Sequence, residues 1–183
     1  VKFAFVALFF AVLALVGLSA GADYGLPCDE STEQIILQEN MLEYALRLFG
    51  EESAPAQWYL SRGITPISQS IERDHGQCAY YPAAALLPLQ EEAPDRVMVL
   101  WHAYTWLWFM LGVAAVYGFC REAKLSRPVS CGGMLLLYLC PRFFAEGHYN
   151  SKDMVLLTLF LCTLWLGLRF LKHPAPISAS RFQ

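Results

Sequence analysis

Long apolar runs separated by polar segments dominate this chain. Residues 3–20 form an unbroken apolar run, and at 1.5 Å of rise per residue such a helix reaches about 27 Å, enough to cross the hydrocarbon core of a bilayer. Three more apolar runs follow further along the chain. The pattern predicts an all-α membrane protein with about four transmembrane helices, at 1–20, 97–119, 128–142 and 154–171.

The first run has two interpretations. Ala20-Gly21-Ala22 resembles a signal-peptidase cleavage site, as expected of a secretory signal peptide. The run is longer than the usual apolar region of a signal peptide, which favours a retained first span. Both interpretations place the following segment outside the cytoplasm.

Residues 21–96 form a polar segment with thirteen acidic and four basic side chains. This excess of acids fits an extracytoplasmic loop, although acids alone do not set topology. Within the loop, residues 32–49 are expected to form an amphipathic helix, with Ser31 and Gln34 as a capping box and Gly50 just after its end. Its predicted apolar positions are Ile35, Leu42, Leu46 and Phe49.

The basic clusters give a consistent orientation. Arg121, Lys124 and Arg127 follow the second run, and Lys172 follows the fourth. The positive-inside rule places these clusters in the cytoplasm. The segments 21–96 and 143–153 are then extracytoplasmic loops, and residues 172–183 are a cytoplasmic polar tail.

Composition supports the membrane class. The chain has 183 residues, of which 56% are hydrophobic and 16% charged, and its mean hydropathy is +0.38. The net charge of −3 argues against a nucleic-acid partner. The six cysteines contain no Cys-x-x-Cys pair, so a zinc site has no support. Cys28 and Cys78 are either two free thiols or a disulfide of the external loop.

A charged segment between the third and fourth runs is the strongest functional signal. It carries Arg142, Glu146, His148, Lys152 and Asp153. Charges beside membrane spans cost several kcal/mol unless they face water, a partner or a substrate. The alternative is structural: cationic side chains reaching the interface and an internal ion pair.

The two external loops carry the candidate chemistry together. Asp29 and Glu30 begin the first loop, where acids are also favoured by the helix dipole. Carboxylates combined with cations at a membrane surface suit a lipid-linked, phosphorylated substrate. A carboxylate can take a proton from an attacking hydroxyl, while Arg142 or Lys152 holds the phosphate.

These motifs resemble those of the GT-C superfamily of polyprenyl-phosphate-sugar glycosyltransferases, which includes protein O-mannosyltransferases and aminoarabinose transferases. The order of one span, the Asp29-Glu30 pair and an external helix is similar. The stretch 141–153, Pro-Arg-Phe-Phe-Ala-Glu-Gly-His-Tyr-Asn-Ser-Lys-Asp, looks like the second external loop of bacterial members. His75-Gly76 and Tyr80-Tyr81-Pro82 look like the end of the first loop. The resemblance extends from the first span to Leu171.

The resemblance implies an inverting glycosyltransferase in a bacterial inner membrane, acting on the extracytoplasmic face. Asp29 would be the general base, Glu30 its neighbour or a ligand of a divalent metal together with Asp29, and Asp153 the acid of the second loop. The implied substrate-binding residues are Arg142, Lys152, Asn150, His148, His75 and Tyr81. The implied partners are membrane lipid, a polyprenyl-phosphate-linked sugar as donor, and a glycan, lipid or protein acceptor.

The resembled enzymes differ in two respects. Cys28 stands where their motif has Trp, and they have many more spans than the four expected here. We therefore expect an N-terminal part of a larger GT-C-like bundle. Two other functions remain open: a transporter or flippase piece whose charges bind an ion or headgroup, and a non-catalytic assembly subunit.

Overall fold

The computed structural model describes residues 2–27, 29–75 and 77–173. All regular structure in this part of the chain is helical, which confirms the all-α prediction. The α-helices are α1 (Lys2–Ala20), α2 (Glu30–Phe49), α3 (Ala54–Leu60), α4 (Pro94–Glu122), α5 (Arg127–Tyr138), α6 (Pro141–Tyr149) and α7 (Ser151–Lys172). Short 3₁₀ segments cover Gly21–Asp23, Ile67–Gln69 and Cys78–Leu89.

Three described helices are long and apolar enough to cross a membrane. They are α1 with the turn after it, α4 and α7, and the bent pair of α5 and α6 would make a fourth span if it crosses as one unit. This agrees with a membrane protein of three to four spans. Helix α4 is the longest of them and has the most buried surface, so it forms the centre of the bundle.

Contacts along α4 fix the direction of its neighbours. Near the middle of α4, the indole nitrogen of Trp106 donates to the carbonyl of Ala14 in α1 at 3.0 Å. One turn closer to the start of α4, His102 lies beside the carbonyl of Gly21, just after the end of α1. At the end of α4, Lys172 donates to the carbonyl of Glu122. Helix α1 therefore runs antiparallel to α4, and α7 runs parallel to it. The end of α1 and the starts of α4 and α7 lie at one end of the bundle.

The core of the bundle surrounds the middle of α4. Its buried members are Leu13, Trp106, Phe109, Met110, Val113, Met134, Tyr138 and Met154. Helix α1 reaches this core because Gly17 faces Trp106: a Cβ there would lie 1.8 Å from the indole ring. A close approach of this kind needs glycine.

The polar segment after α1 packs at the same end of the bundle. One face of α2 carries Leu37 into a second core with Tyr80, Ala83, Leu87 and Trp101. The 3₁₀ segment Cys78–Leu89 thus connects α2 to the start of α4. The predicted helix 32–49 is present as α2, although it begins two residues earlier, at Glu30.

Two details of the α2 prediction are wrong. The capping residue is Asp29 rather than Ser31, and Asp29 makes no side-chain capping hydrogen bond. The predicted apolar stripe holds at Leu42, which is fully buried, but Ile35 and Phe49 are exposed at 48% and 67%. The buried face of α2 differs from the predicted one, since near the helix start it consists of the polar side chains Glu30, Glu33 and Gln34. Gly50 does end the helix, with φ of 83° and its amide donating to Leu46.

The third span and the loop after it differ from the prediction. The expected helix 128–142 ends at Tyr138, and α6 starts at Pro141 after a bend of 66°. Proline has no amide hydrogen to continue a helix but fits the first turn of a new one. The segment predicted as a loop at 143–153 is largely helical: α6 and the first residues of α7 occupy it, separated by Asn150.

The remaining boundaries are close to those predicted. Helix α4 extends beyond the expected 97–119 on both sides, and α7 covers the expected 154–171. Most of the predicted tail, residues 174–183, lies outside the described residues, as does Cys28 of the alternative disulfide.

Candidate functional site

A cleft of about 160 Å³ opens where the starts of α2 and α7 meet. We call it the α2–α7 cleft. Its lining residues are Pro27, Asp29, Glu30, Glu33, Tyr149, Asn150, Ser151 and Lys152. The structure thus brings together the first-loop acids and the end of the charged segment, which are more than a hundred residues apart in the chain.

Lys152 supplies positive charge to the cleft. Its ammonium lies 3.2 Å from one oxygen of Glu33, and the side-chain amide of Gln77 donates to the other oxygen. The Lys152 side chain is half exposed, whereas Glu33 is buried. The carboxylates of Asp29 and Asp153 are near enough to interact electrostatically with the ammonium. Lys152 therefore faces several acids and remains accessible from the cleft.

Glu30 borders the cleft but directs its carboxylate into the protein. One oxygen lies 2.8 Å from His102 Nε2, and the other accepts from Gln34 at 3.3 Å. The other ring nitrogen of His102, Nδ1, lies 3.3 Å from the carbonyl of Gly21. A carbonyl only accepts, so Nδ1 carries a hydrogen. A second proton must then lie between Nε2 and the carboxylate, and the buried pair has no net charge.

Asn150 and Asp153 form the N-terminal cap of α7. The amide of Asp153 donates to Asn150 Oδ1 at 3.2 Å, and Asn150 Nδ2 donates to the Asp153 carboxylate at 2.9 Å. The carboxylate also benefits from the helix dipole. Asp153 is exposed and is not among the cleft residues. Its geometry is that of a helix cap beside the cleft.

Arg142 lies outside the cleft. Its guanidinium is 2.7 Å from Glu146, one turn further along α6, and its side chain is 80% exposed. The two residues share α6 because Pro141 starts a separate helix there. This is the kind of internal ion pair that a purely structural role of the charged segment predicts.

His148 is buried in an aromatic stack. Its ring lies 4.5 Å from that of Trp106 at an angle of 3°, and 4.4 Å from that of Tyr24. Neither ring nitrogen has a hydrogen-bond partner among the described residues. A charged imidazolium without acceptors would be costly in this setting, so the neutral ring is favoured. His148 thus forms part of the packing between Trp106 of α4 and Tyr24.

His75 and Tyr81 are placed elsewhere. His75 is exposed and lies 2.5 Å from Glu72. The Tyr81 hydroxyl donates to Asn40 of α2 at 3.3 Å and lies beside Tyr44. Burial, followed by the hydrogen bond with Tyr44, raises the pKa of Tyr81 to about 12. Neither side chain lines the α2–α7 cleft, so their roles in substrate binding remain predictions.

Sequence analysis did not identify Glu33, Gln77 or His102, which make the polar contacts of Lys152 and Glu30 at the cleft. Glu33 could have been found, because it follows Glu30 by one helical turn and shares its face. His102 also carried a signal, since an ionisable side chain inside an apolar span usually has a partner. No sequence signal marked Gln77, because it contacts Glu33, which is 44 positions away in the chain.

The described residues contain no group of three or more His, Cys, Asp or Glu side chains arranged to hold a metal ion. The carboxylate of Glu30, one of the two expected ligands, is occupied by His102 and Gln34. Comparison of the chain with protein-family models, curated proteins and solved structures finds no match.

Proposed function

We propose that this chain forms part of a membrane glycosyltransferase that moves a sugar from a polyprenyl-phosphate donor to an acceptor hydroxyl. The observation that carries the proposal is the α2–α7 cleft, where a carboxylate at a helix start lies near an accessible ammonium group. The cleft lies beside the starts of two candidate membrane spans, α4 and α7, so a lipid-linked donor could reach it from the bilayer.

Asp29 is the proposed general base. It is exposed, lines the cleft and precedes the first turn of α2. A carboxylate in this position can accept the proton of an attacking hydroxyl. Glu30 is unsuited to this role because its carboxylate is buried against His102. In this scheme Glu30 anchors the start of α2, and Asp29 performs the chemistry.

Lys152 is the proposed contact for the donor phosphate. Its ammonium has three hydrogens to donate, and the Glu33 carboxylate accepts one of them. A phosphate oxygen could take another. As the donor bond breaks, negative charge grows on that phosphate, and a fixed cation stabilises it more strongly than it stabilises the ground state.

The proposed reaction is a single displacement. The acceptor oxygen forms a bond to the anomeric carbon, and its proton passes to the Asp29 carboxylate. The bond between the anomeric carbon and the phosphate oxygen breaks at the same time. Polyprenyl phosphate leaves with the electron pair of that bond, and the configuration of the sugar is inverted. Atoms and charges balance without a cofactor.

The test uses membranes from cells that express the natural gene. Sugar transfer is measured from polyprenyl-phosphate hexose and aminopentose donors to hydroxyl-bearing acceptors. Because general base catalysis contributes about 10²–10⁴-fold, Asp29→Asn should lower the rate by about 100-fold or more. Asp74→Asn is the matched control, an exposed acid of the same loop.

Two outcomes would contradict the proposal. One is an unchanged rate in Asp29→Asn at normal protein level. The other is substrate uptake into proteoliposomes with no sugar transfer from any donor, which would favour the transporter alternative.

A further inference from the structure

A larger cavity, of about 740 Å³, lies at the opposite end of the bundle from the α2–α7 cleft. Its walls come from the start of α1, the end of α4 and the start of α5. Its volume is in the usual range for sites that enclose small molecules. We call it the arginine cavity, after Arg121 and Arg127 in its lining.

The walls of the arginine cavity are mostly apolar. Phe5 and Val6 of α1 face it from one side, and Pro128 and Cys131 of α5 from the other. Phe5 is 68% exposed, so it can contact lipid or a bound hydrocarbon chain. An apolar space that opens beside a candidate span suits an acyl or polyprenyl chain.

Within the part of the chain that the structure describes, the cationic side chains in this lining have no acidic partner. Among the described residues, neither Arg121 nor Arg127 forms an ion pair. Arg121 donates to the carbonyl of Leu125 and keeps its other guanidinium hydrogens. The nearest acid in the sequence is Glu122. Its carboxylate pairs instead with the guanidinium of Arg169 in α7, at 3.8 Å. The cavity therefore combines apolar walls with uncompensated positive charge.

The start of α5 adds donors to the same lining. Ser126 has the extended backbone of a capping residue, yet its side chain makes no capping hydrogen bond. Pro128 has no amide hydrogen, so the first-turn donors are the amides of Arg127 and Val129, which have no partner within the helix. Amides in this position attract anions. With the two guanidinium groups beside them, they favour an anionic ligand.

We infer that the arginine cavity binds a membrane lipid that carries a phosphate group. The phosphate lies between Arg121 and Arg127, and the hydrocarbon chain lies against Phe5 and Val6. Basic pockets between membrane helices bind phospholipid headgroups by the same physics. The inference is independent of the proposed function, because it involves neither the α2–α7 cleft nor its residues.

The test is native mass spectrometry of the detergent-purified protein with added lipid. The four lipids are phosphatidylglycerol, phosphatidylcholine, undecaprenyl phosphate and diacylglycerol. Wild type should bind the two anionic lipids best and diacylglycerol, which has no phosphate, least. Stronger binding of undecaprenyl phosphate than of phosphatidylglycerol would identify a phosphate monoester as the ligand, and the reverse would identify a phospholipid headgroup.

The decisive variant is Arg121→Gln with Arg127→Gln. It should weaken binding of phosphatidylglycerol by roughly 30-fold, from the contribution of two basic side chains near an anionic lipid. Arg169→Gln is the matched control, a basic residue at the same end of the bundle that pairs with Glu122. Equal binding by the double variant and wild type would overturn the inference, as would equal binding of diacylglycerol and phosphatidylglycerol by wild type.

A second measurement does not depend on the variant. Cys131 lines the cavity, whereas Cys78 is exposed far from it. Added phosphatidylglycerol should slow alkylation of Cys131 and leave Cys78 unchanged, as read from peptide masses. Equal alkylation of Cys131 with and without the lipid would contradict its occupation of the cavity.

Discussion

The carboxylate of Glu30 and the imidazole of His102 lie 2.8 Å apart, and both side chains are fully buried. The contact joins the first turn of α2 to the third turn of α4, across 72 positions of the chain. It therefore fixes the polar segment onto the membrane bundle at the point where Asp29 enters the cleft.

The first prediction concerns this pair. His102→Leu removes the partner of a buried carboxylate and should destabilise the protein by about 3–5 kcal/mol. Glu30→Leu should cost about 1–3 kcal/mol, because it leaves one ring nitrogen unpaired. The double variant should lose less than the sum, with a coupling of about 1–3 kcal/mol, measured by unfolding in mild detergent. His173→Leu is an exposed control. Additive losses would show that the two side chains act independently.

The second prediction separates the two cations of the charged segment. Lys152 lines the α2–α7 cleft, while Arg142 is exposed and pairs with Glu146. In the transfer assay, Lys152→Gln should lower turnover by about 10²-fold, the scale of one lost charge-stabilising contact. Arg142→Gln should have a far smaller effect. A larger loss of turnover in Arg142→Gln than in Lys152→Gln would identify Arg142 as the principal phosphate contact instead.

The third prediction concerns the packing of α1 on α4. Gly17→Ala would place a methyl group inside the Trp106 ring, and overpacking of this kind costs about 1–3 kcal/mol. Gly132→Ala in α5 is the control, because no neighbouring atom of the described residues lies within 4 Å of a Cβ added there. The control should leave stability unchanged or raise it by up to about 1 kcal/mol, since alanine favours helix. Thermal unfolding in detergent measures both. Equal melting temperatures would mean that α1 does not pack on Trp106.

The fourth prediction is a pH dependence of the polar segment. The Ser68 hydroxyl donates to Glu43 at 2.7 Å, and Arg47 lies at 2.7 Å from the same carboxylate. The Ser68 hydrogen bond first, and Arg47 second, hold the pKa of Glu43 below its ordinary value of 4.5. The contribution of the Glu43 carboxylate to folding stability is therefore fully present above pH 4.5. It is lost as the pH falls through the lowered pKa of Glu43.

The contribution of Glu43 should be below about 1 kcal/mol, because the contact is near the surface. Unfolding curves for wild type and Glu43→Gln should differ at pH 6 and converge as the pH falls through the lowered pKa of Glu43. Glu52→Gln, at an exposed acid, serves as the control. A constant difference across this range would assign the effect to packing rather than to ionisation.

Local sequence signals predicted much of the fold. Long apolar runs identified α1, α4 and α7, because helix length and hydropathy are local properties. Gly50 likewise marked the end of α2, since only its own backbone conformation was involved. The bend between α5 and α6 was missed, although Pro141 marked it, because the apolar run continues across the proline.

The candidate site was predicted less completely. Asp29 and Lys152 were chosen from the sequence, and the structure places both at one cleft. Arg142 and Asp153 were chosen by the same argument, but contacts with Glu146 and Asn150 hold them outside it. Residues of one charged segment look alike in sequence. The helix break at Asn150 separates Arg142 from Lys152, and neighbouring positions of α7 turn Lys152 and Asp153 to different sides.

The sequence by itself determined that the chain is helical, that its apolar runs suit a membrane and that its acids and cations gather in a few segments. Only the tertiary structure decided which acid faces the cleft and which faces His102. The physical reason is distance along the chain: Glu30 meets His102, and Glu33 meets Lys152, through packing between helices that no local pattern encodes.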